Sequence, residues 1–160
     1  MLNSVRILNV KIQETSKGKV ILIGWETKSE NGWERQTLKS KDTPRPELYN
    51  AMLTMGLHAL KMCELEHKQA DLFKDWQADE VTIKYSKNIG QRRGVEIKVS
   101  IPVNGGYIFK FKTPVWLLIT NDDNKLQTDI DLLTGEAMRY INGDRAQSTL
   151  DLEGIGGTEA

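Results

Sequence analysis

Two stretches of this chain alternate apolar and polar residues with a period of two, and each leads into an apolar pattern with helical spacing. In the second stretch Val81, Ile83 and Tyr85 alternate with Thr82, Lys84 and Ser86, and Val95, Ile97, Val99 and Ile101 alternate with Glu96, Lys98 and Ser100. After Asn104-Gly105-Gly106, Tyr107, Phe109 and Phe111 alternate with Ile108, Lys110 and Lys112. A strand sends successive side chains to opposite faces, so this spacing predicts three strands with one buried and one wet side. In the first stretch Leu8, Val10 and Ile12 mark a strand, Val20 to Trp25 is apolar on both faces, and Trp33 to Lys39 follows. Lys17-Gly18-Lys19 and Ser29-Glu30-Asn31-Gly32 supply the turns, the second with the Asn-Gly signal of a tight hairpin.

The helical spacing comes after each set. Thr43-Pro44-Arg45-Pro46-Glu47 opens a helix, since proline fits a first turn whose N–H has no intrahelical partner. Leu48, Met52, Met55, Ala59 and Met62 form its stripe, widened by Leu53, Leu57 and Leu60. Glu66 to Glu80 reads as an acidic linker. Pro114 limits Val115 to Ile119 to an edge or a new strand, and Asn121 to Asn124 is a loop or a helix cap. The segment 128–146 has two readings. Ile130, Leu133, Ala137 and Ile141 fit a helix stopped at Gly143, while Thr134-Gly135 and Asn142-Gly143 suit hairpin turns. Helix is favoured, because Asp131, Glu136 and Arg139 fall on the opposite side. The expected fold is α+β: two βββα-like units, 1–65 and 81–146, in one domain spanning 1–146. Antiparallel sheet packs against two helices, and 147–160 is a flexible tail.

Charge adds a layout to this pattern. The chain of 160 residues is formally neutral, yet Lys/Arg exceed Asp/Glu by nine to five over 1–46 and by seven to one over 81–112. Acids lead by seven to three over 47–80 and by nine to three over 121–160. Basic blocks on strands and acidic blocks mostly on helices let a neutral protein present one surface to a polyanion. One cysteine, Cys63, excludes an intramolecular disulfide and fits a reducing compartment. No apolar run approaches a membrane span, and Met1-Leu2-Asn3-Ser4 lacks a signal-peptide core, so a cytoplasmic location is expected.

Catalytic chemistry finds little support. No phosphate-loop, nucleophile-elbow or zinc-protease motif occurs, and His58, inside an apolar helix, reads as a core or boundary histidine. Asp122-Asp123 and Asp129-Asp131 lack the glycine and terminal glutamate of a calcium loop. The expectation is a non-enzymatic protein without cofactor or metal. Polyanion binding fits better: the period of two puts Lys84, Lys98, Lys110 and Lys112 on one outer face, with Arg92 and Arg93 in the connecting loop. Lys11, Lys39 and Lys41 extend it from the first unit, and Trp25, Trp33, Tyr85 and Tyr107 are candidates for stacking bases. The competing reading is a solvated sheet face with its aromatics in the core. The alternative function is sequestration of an anionic nucleotide, or blockade of a host protein. Self-association through edge strands is a further expectation.

Gln147-Ser148-Thr149-Leu150-Asp151-Leu152 resembles the Gln-x-x-Leu-x-Leu/Phe peptides that bind bacterial sliding clamps, which makes Gln147, Leu150 and Leu152 candidate partner-binding residues. Two longer stretches carry another resemblance: Thr43-Pro44-Arg45-Pro46-Glu47-Leu48-Tyr49 running on to Met62-Cys63-Glu64-Leu65, and Glu136 to Gln147. They are similar to a tailed-phage and prophage family encoded among early replication and recombination genes. Its members tend to end in Leu-Phe where this chain has Leu150-Asp151-Leu152. The resemblance implies a role in phage DNA metabolism inside a bacterial host. The duplicated strands-then-helix order also resembles the architecture of Whirly-type single-strand DNA binders.

Overall fold

The structure is a computed structural model that describes residues 5–65, 78–87, 91–102, 105–121 and 123–146. Strands β1 (Val5–Thr15), β2 (Gly18–Ser29) and β3 (Gly32–Ser40) form a meander that leads into helix α1 (Pro46–Met62). A second meander, β4 (Ala78–Tyr85), β5 (Arg92–Pro102) and β6 (Ile108–Lys112), is followed by the short β7 (Trp116–Leu117). Helices α2 (Leu118–Asn121) and α3 (Asn124–Ile141) come after it. All seven strands belong to one antiparallel sheet in the order β3-β2-β1-β4-β5-β6, with β7 also on β5. The fold is α+β, and the two meanders meet where β1 pairs with β4.

One side of the sheet carries the core. Ile7, Val10, Ile12, Ile21, Ile23, Val81, Ile83, Val95, Ile97, Val99 and Ile101 are buried there beneath the helices. Leu48, Met52, Met55, Ala59 and Leu60 come down from α1, and Leu126, Ile130, Leu133, Ala137 and Tyr140 from α3. Each large side chain buried in this way contributes on the order of 1.5–3 kcal/mol. The segment 128–146 resolves in favour of helix as far as Ile141, because its apolar stripe has this sheet side to cover. Asp123 caps α3 by accepting from the Leu126 amide at 3.1 Å, and Gly143, at φ +96°, ends it in a conformation that favours glycine. Asp129, only 3% exposed, lies between His58 Nε2 of α1 at 2.6 Å and Lys125 Nζ at 3.1 Å, a polar clasp between the helices.

Two local features depart from simple alternation. The β1–β2 register shifts between Ile7 and Asn9, so Ile7 rather than Leu8 joins Val10 and Ile12 in the core. Leu8 is left half-buried on the other side. The expected strand from Val115 to Ile119 shrinks to Trp116–Leu117, since the chain turns into α2 at Leu118. β6 and β7 thus cover successive lengths of the same edge of β5, with Thr113-Pro114-Val115 between them. The gap is bridged by fully buried Thr113, whose amide donates to the Ile97 carbonyl at 2.9 Å and whose hydroxyl accepts from the Ile97 amide at 3.0 Å. Gly94 allows the close approach: a Cβ there would stand 2.8 Å from Val115 Cγ1 and 3.0 Å from the Trp116 carbonyl oxygen.

Thr113→Val keeps the shape but leaves the Ile97 N–H without its acceptor. We expect a loss of about 1–3 kcal/mol in urea unfolding at unchanged m-value. Wild-type stability in this variant would show that the hydroxyl does not close the ladder.

Candidate functional site

Among the described residues, no helix packs on the other side of the sheet, which is open. Its side chains follow from the pairing register, and one row crosses six strands: Lys39 pairs with Leu22, Leu22 with Lys11, Lys11 with Glu80, Glu80 with Lys98 and Lys98 with Lys112. Four of these six residues are lysines. Strands about 4.8 Å apart make such a row roughly 24 Å long. Two residues along, the next row is Thr37, Gly24, Asn9, Thr82 and Glu96, small and mostly uncharged. Beyond it Arg35, Glu26 and Arg6 stand in register on β3, β2 and β1, while Lys84 pairs with Gly94 across β4 and β5. The face therefore has two cationic bands separated by a furrow of short side chains.

A hollow opens in each band. The first, about 360 Å³, is lined by Lys11, Asp79, Glu80, Lys98, Lys110 and Lys112, with Val99 and Phe111 beneath. Lys98 Nζ lies 3.1 Å from Glu80, and Lys112 Nζ lies 3.9 Å from Glu96. Lys110, exposed and opposite Ser100, has no ion-pair partner among the described residues, and Asp79 instead accepts the Ser100 hydroxyl. The second hollow, about 640 Å³, is lined by Arg6, Arg35, Lys84 and Arg93, by the carboxylates Glu26 and Glu80, and by Leu8, Ile83, Tyr85 and Val115. Its firmest part is Arg6. The guanidinium lies 4.0 Å from the Trp33 ring centre and 4.9 Å from that of Tyr85, and NH2 is 3.5 Å from Glu26. The Lys98 and Lys112 side chains are themselves exposed, so their charges remain accessible to an anion in solvent.

Several sequence expectations need correction. Arg92 is engaged elsewhere: it pairs with Asp131 of α3 at 2.5 Å and donates to Thr134, on the helical side. Tyr85 is not a free stacking platform, because its hydroxyl donates to the Ile7 carbonyl at 2.6 Å and Arg6 lies over its ring. Burial pushes the Tyr85 phenol above its ordinary value, against the opposing charges of Arg92 and Arg6. Trp25, in register with Ile7, packs against the core. Tyr107 is 74% exposed before β6, where the alternation that puts Lys110 on the open face gives it the opposite parity. Trp33 is on the open face, with Arg6 already against its ring. Lys39, Lys84, Arg93, Lys98, Lys110 and Lys112 stand on that face or in its hollows. Gln147, Leu150 and Leu152 lie outside the described residues.

The acids are also placed differently. α1 carries only Glu47 and Lys61 as charged residues, while Asp79 and Glu80 sit on the open face itself, among the lysines. A hollow of about 220 Å³ on the helical side, lined by Glu47, Asp129 and Glu136, has no cation. Arg6 is the residue that alternation alone missed, since only the shift in register after Ile7 shows which side it takes. Its position before an apolar run beside a Trp-bearing hairpin was the available hint.

No group of three or more His, Cys, Asp or Glu that could hold a metal ion occurs among the described residues. No helix among them is long and apolar enough to cross a membrane. Compared with protein families, curated proteins and solved structures, the chain finds no match. Fold and face together define an α+β protein with an open antiparallel sheet bearing two cationic bands.

Glu80 connects the bands, and its titration is readable. Burial raises its pKa, but hydrogen bonds from the Asn9 amide (2.5 Å) and Lys98, with the charges of Lys98 and Lys11, outweigh burial and hold it below the ordinary value. A carboxyl depressed by folding contributes stability that is present above its unfolded pKa and lost as pH falls through the folded one. Stability should therefore decline as pH drops below about 4, and Glu80→Gln should flatten that decline in urea titrations at stepped pH. An identical acid profile in the variant would contradict this assignment.

Proposed function

We propose that this protein is a non-enzymatic binder of single-stranded nucleic acid that holds the strand across its open sheet face. The observation that supports this most is the registered row Lys39, Leu22, Lys11, Glu80, Lys98, Lys112, with Lys110 beside it. Lysines repeated at strand spacing suit a backbone of regularly spaced phosphates better than they suit one compact anion. The furrow of Thr37, Gly24, Asn9 and Thr82 leaves room beside them for sugars and bases. Base stacking is a smaller element of this reading, because Arg6 already lies against the rings of Trp33 and Tyr85. The likeness of Thr43 to Leu65 and Glu136 to Gln147 to a tailed-phage early-region family supports a setting in phage DNA metabolism. The clamp-like peptide at Gln147 to Leu152 supports recruitment of a partner.

Fluorescence anisotropy with a labelled oligothymidylate at two salt concentrations tests the reading. Binding should weaken as salt rises, by about 0.7 in the log–log slope for each phosphate neutralised. Lys110→Glu combined with Lys112→Glu should lower affinity at least tenfold at low salt and reduce that slope. Glu80→Gln, which removes the carboxylate from the lysine row, should raise affinity. Absence of binding at low salt, or binding indifferent to both salt and the double substitution, would reject the proposal.

A further inference from the structure

The larger hollow differs from the lysine row in chemistry. Row lysines are flexible point charges, whereas the Arg6 guanidinium lies against the Trp33 and Tyr85 rings, 4.0 and 4.9 Å from their centres. Its protein contact on the donor edge is a single 3.5 Å approach to Glu26, and its buried Nε has no hydrogen-bond partner. A guanidinium presents five N–H donors in a rigid fork that matches two oxygens of a phosphate. The two ring contacts therefore restrain the guanidinium while most of its donors have no protein partner among the described residues. Arg35, Lys84 and Arg93 line the same hollow, and none has an ion-pair partner among the described residues. Four cations face the two carboxylates Glu26 and Glu80, a surplus of two positive charges.

We infer that this hollow binds a terminal phosphate, the phosphomonoester of a nucleotide, with Arg6 as the oriented fork and Arg35, Lys84 and Arg93 around it. Charge favours the monoester. Near neutral pH it carries about −1.5 to −2, against −1 for an internal diester, and so matches the local surplus. Size fits as well, since about 640 Å³ lies within the range of small-ligand sites. Leu8 and Val115 give the hollow an apolar wall against which a sugar or base can pack. The same chemistry is offered by a phosphorylated strand end and by a free mononucleotide. This inference deepens the proposed function, and the strand-end source rests on it.

The test compares four ligands by competition and calorimetry: an oligothymidylate with a 5′-phosphate, the same chain with a 3′-phosphate, the same chain with hydroxyl ends, and thymidine monophosphate. At least one phosphorylated end should bind tenfold or more tighter than the hydroxyl-ended chain, or the monophosphate should bind on its own. Arg93→Ala and Arg35→Ala should each abolish that preference, while Lys110→Ala should lower all strand affinities together and leave the preference intact. Arg6→Lys, which keeps the charge and loses the fork, should also abolish it. Circular dichroism would establish that each variant is folded. Preference for a strand end, or binding of the monophosphate, supports the inference and identifies the source. Binding of the monophosphate without any oligonucleotide affinity would support this site while rejecting the strand-binding function. Equal binding of all strand ends without monophosphate affinity, or a preference that survives Arg35→Ala and Arg93→Ala, would overturn the inference and leave the strand-binding function standing.

Discussion

The antiparallel pairing of β1 with β4 decides what kind of surface this chain has. It is a short ladder, Asn9 with Thr82, Val10 with Val81 and Lys11 with Glu80, yet it joins two meanders into one sheet. On the core side it sets Val10 against Val81, both fully buried. On the open side the Asn9 amide donates to Glu80 at 2.5 Å and to Thr82 at 3.4 Å. Because side chains alternate strictly, a slip of one residue here would turn one unit's lysines toward the helices of the other. Register at this seam, rather than net charge, is what makes a single face.

That seam also explains why a formally neutral chain carries a cationic surface. Lys11 comes from the first unit and Lys98 and Lys112 from the second, and only the ladder aligns them. Carboxylates are not excluded from the face. Glu80, Glu26 and Asp79 hold neighbouring groups in place. The two bands differ in rigidity: lysines along the row can follow a flexible backbone, while Arg6 is fixed by two rings.

Much of the fold was legible because strong periodicity leaves few alternatives. Val95, Ile97, Val99 and Ile101 alternate without a break, and all four are buried as that pattern requires. The lysines between and beside them could be assigned to a face for the same reason. What could not be read depends on local backbone irregularity and on partners far apart in sequence. Leu8, Val10 and Ile12 share one parity in the sequence, yet Ile7 takes the core position, because a register shift leaves no mark in hydropathy. Arg92 looked like Arg93 in sequence, but only the approach of α3 gives it Asp131. The arginine hollow draws on β1, β2, β3, β4, β5 and the segment before β7, so no linear motif could announce it.

The proposed function requires a nucleic-acid strand to lie across the open sheet face and not against the helices. Lysine-directed covalent footprinting, with and without oligothymidylate at low salt and read out by mass spectrometry, tests it directly. The expected outcome is protection of Lys11, Lys39, Lys84, Lys98, Lys110 and Lys112, with Lys61 of α1 and Lys125 of α3 labelled equally in both states. Protection centred on Lys61 and Lys125, or spread evenly over all lysines, would contradict it.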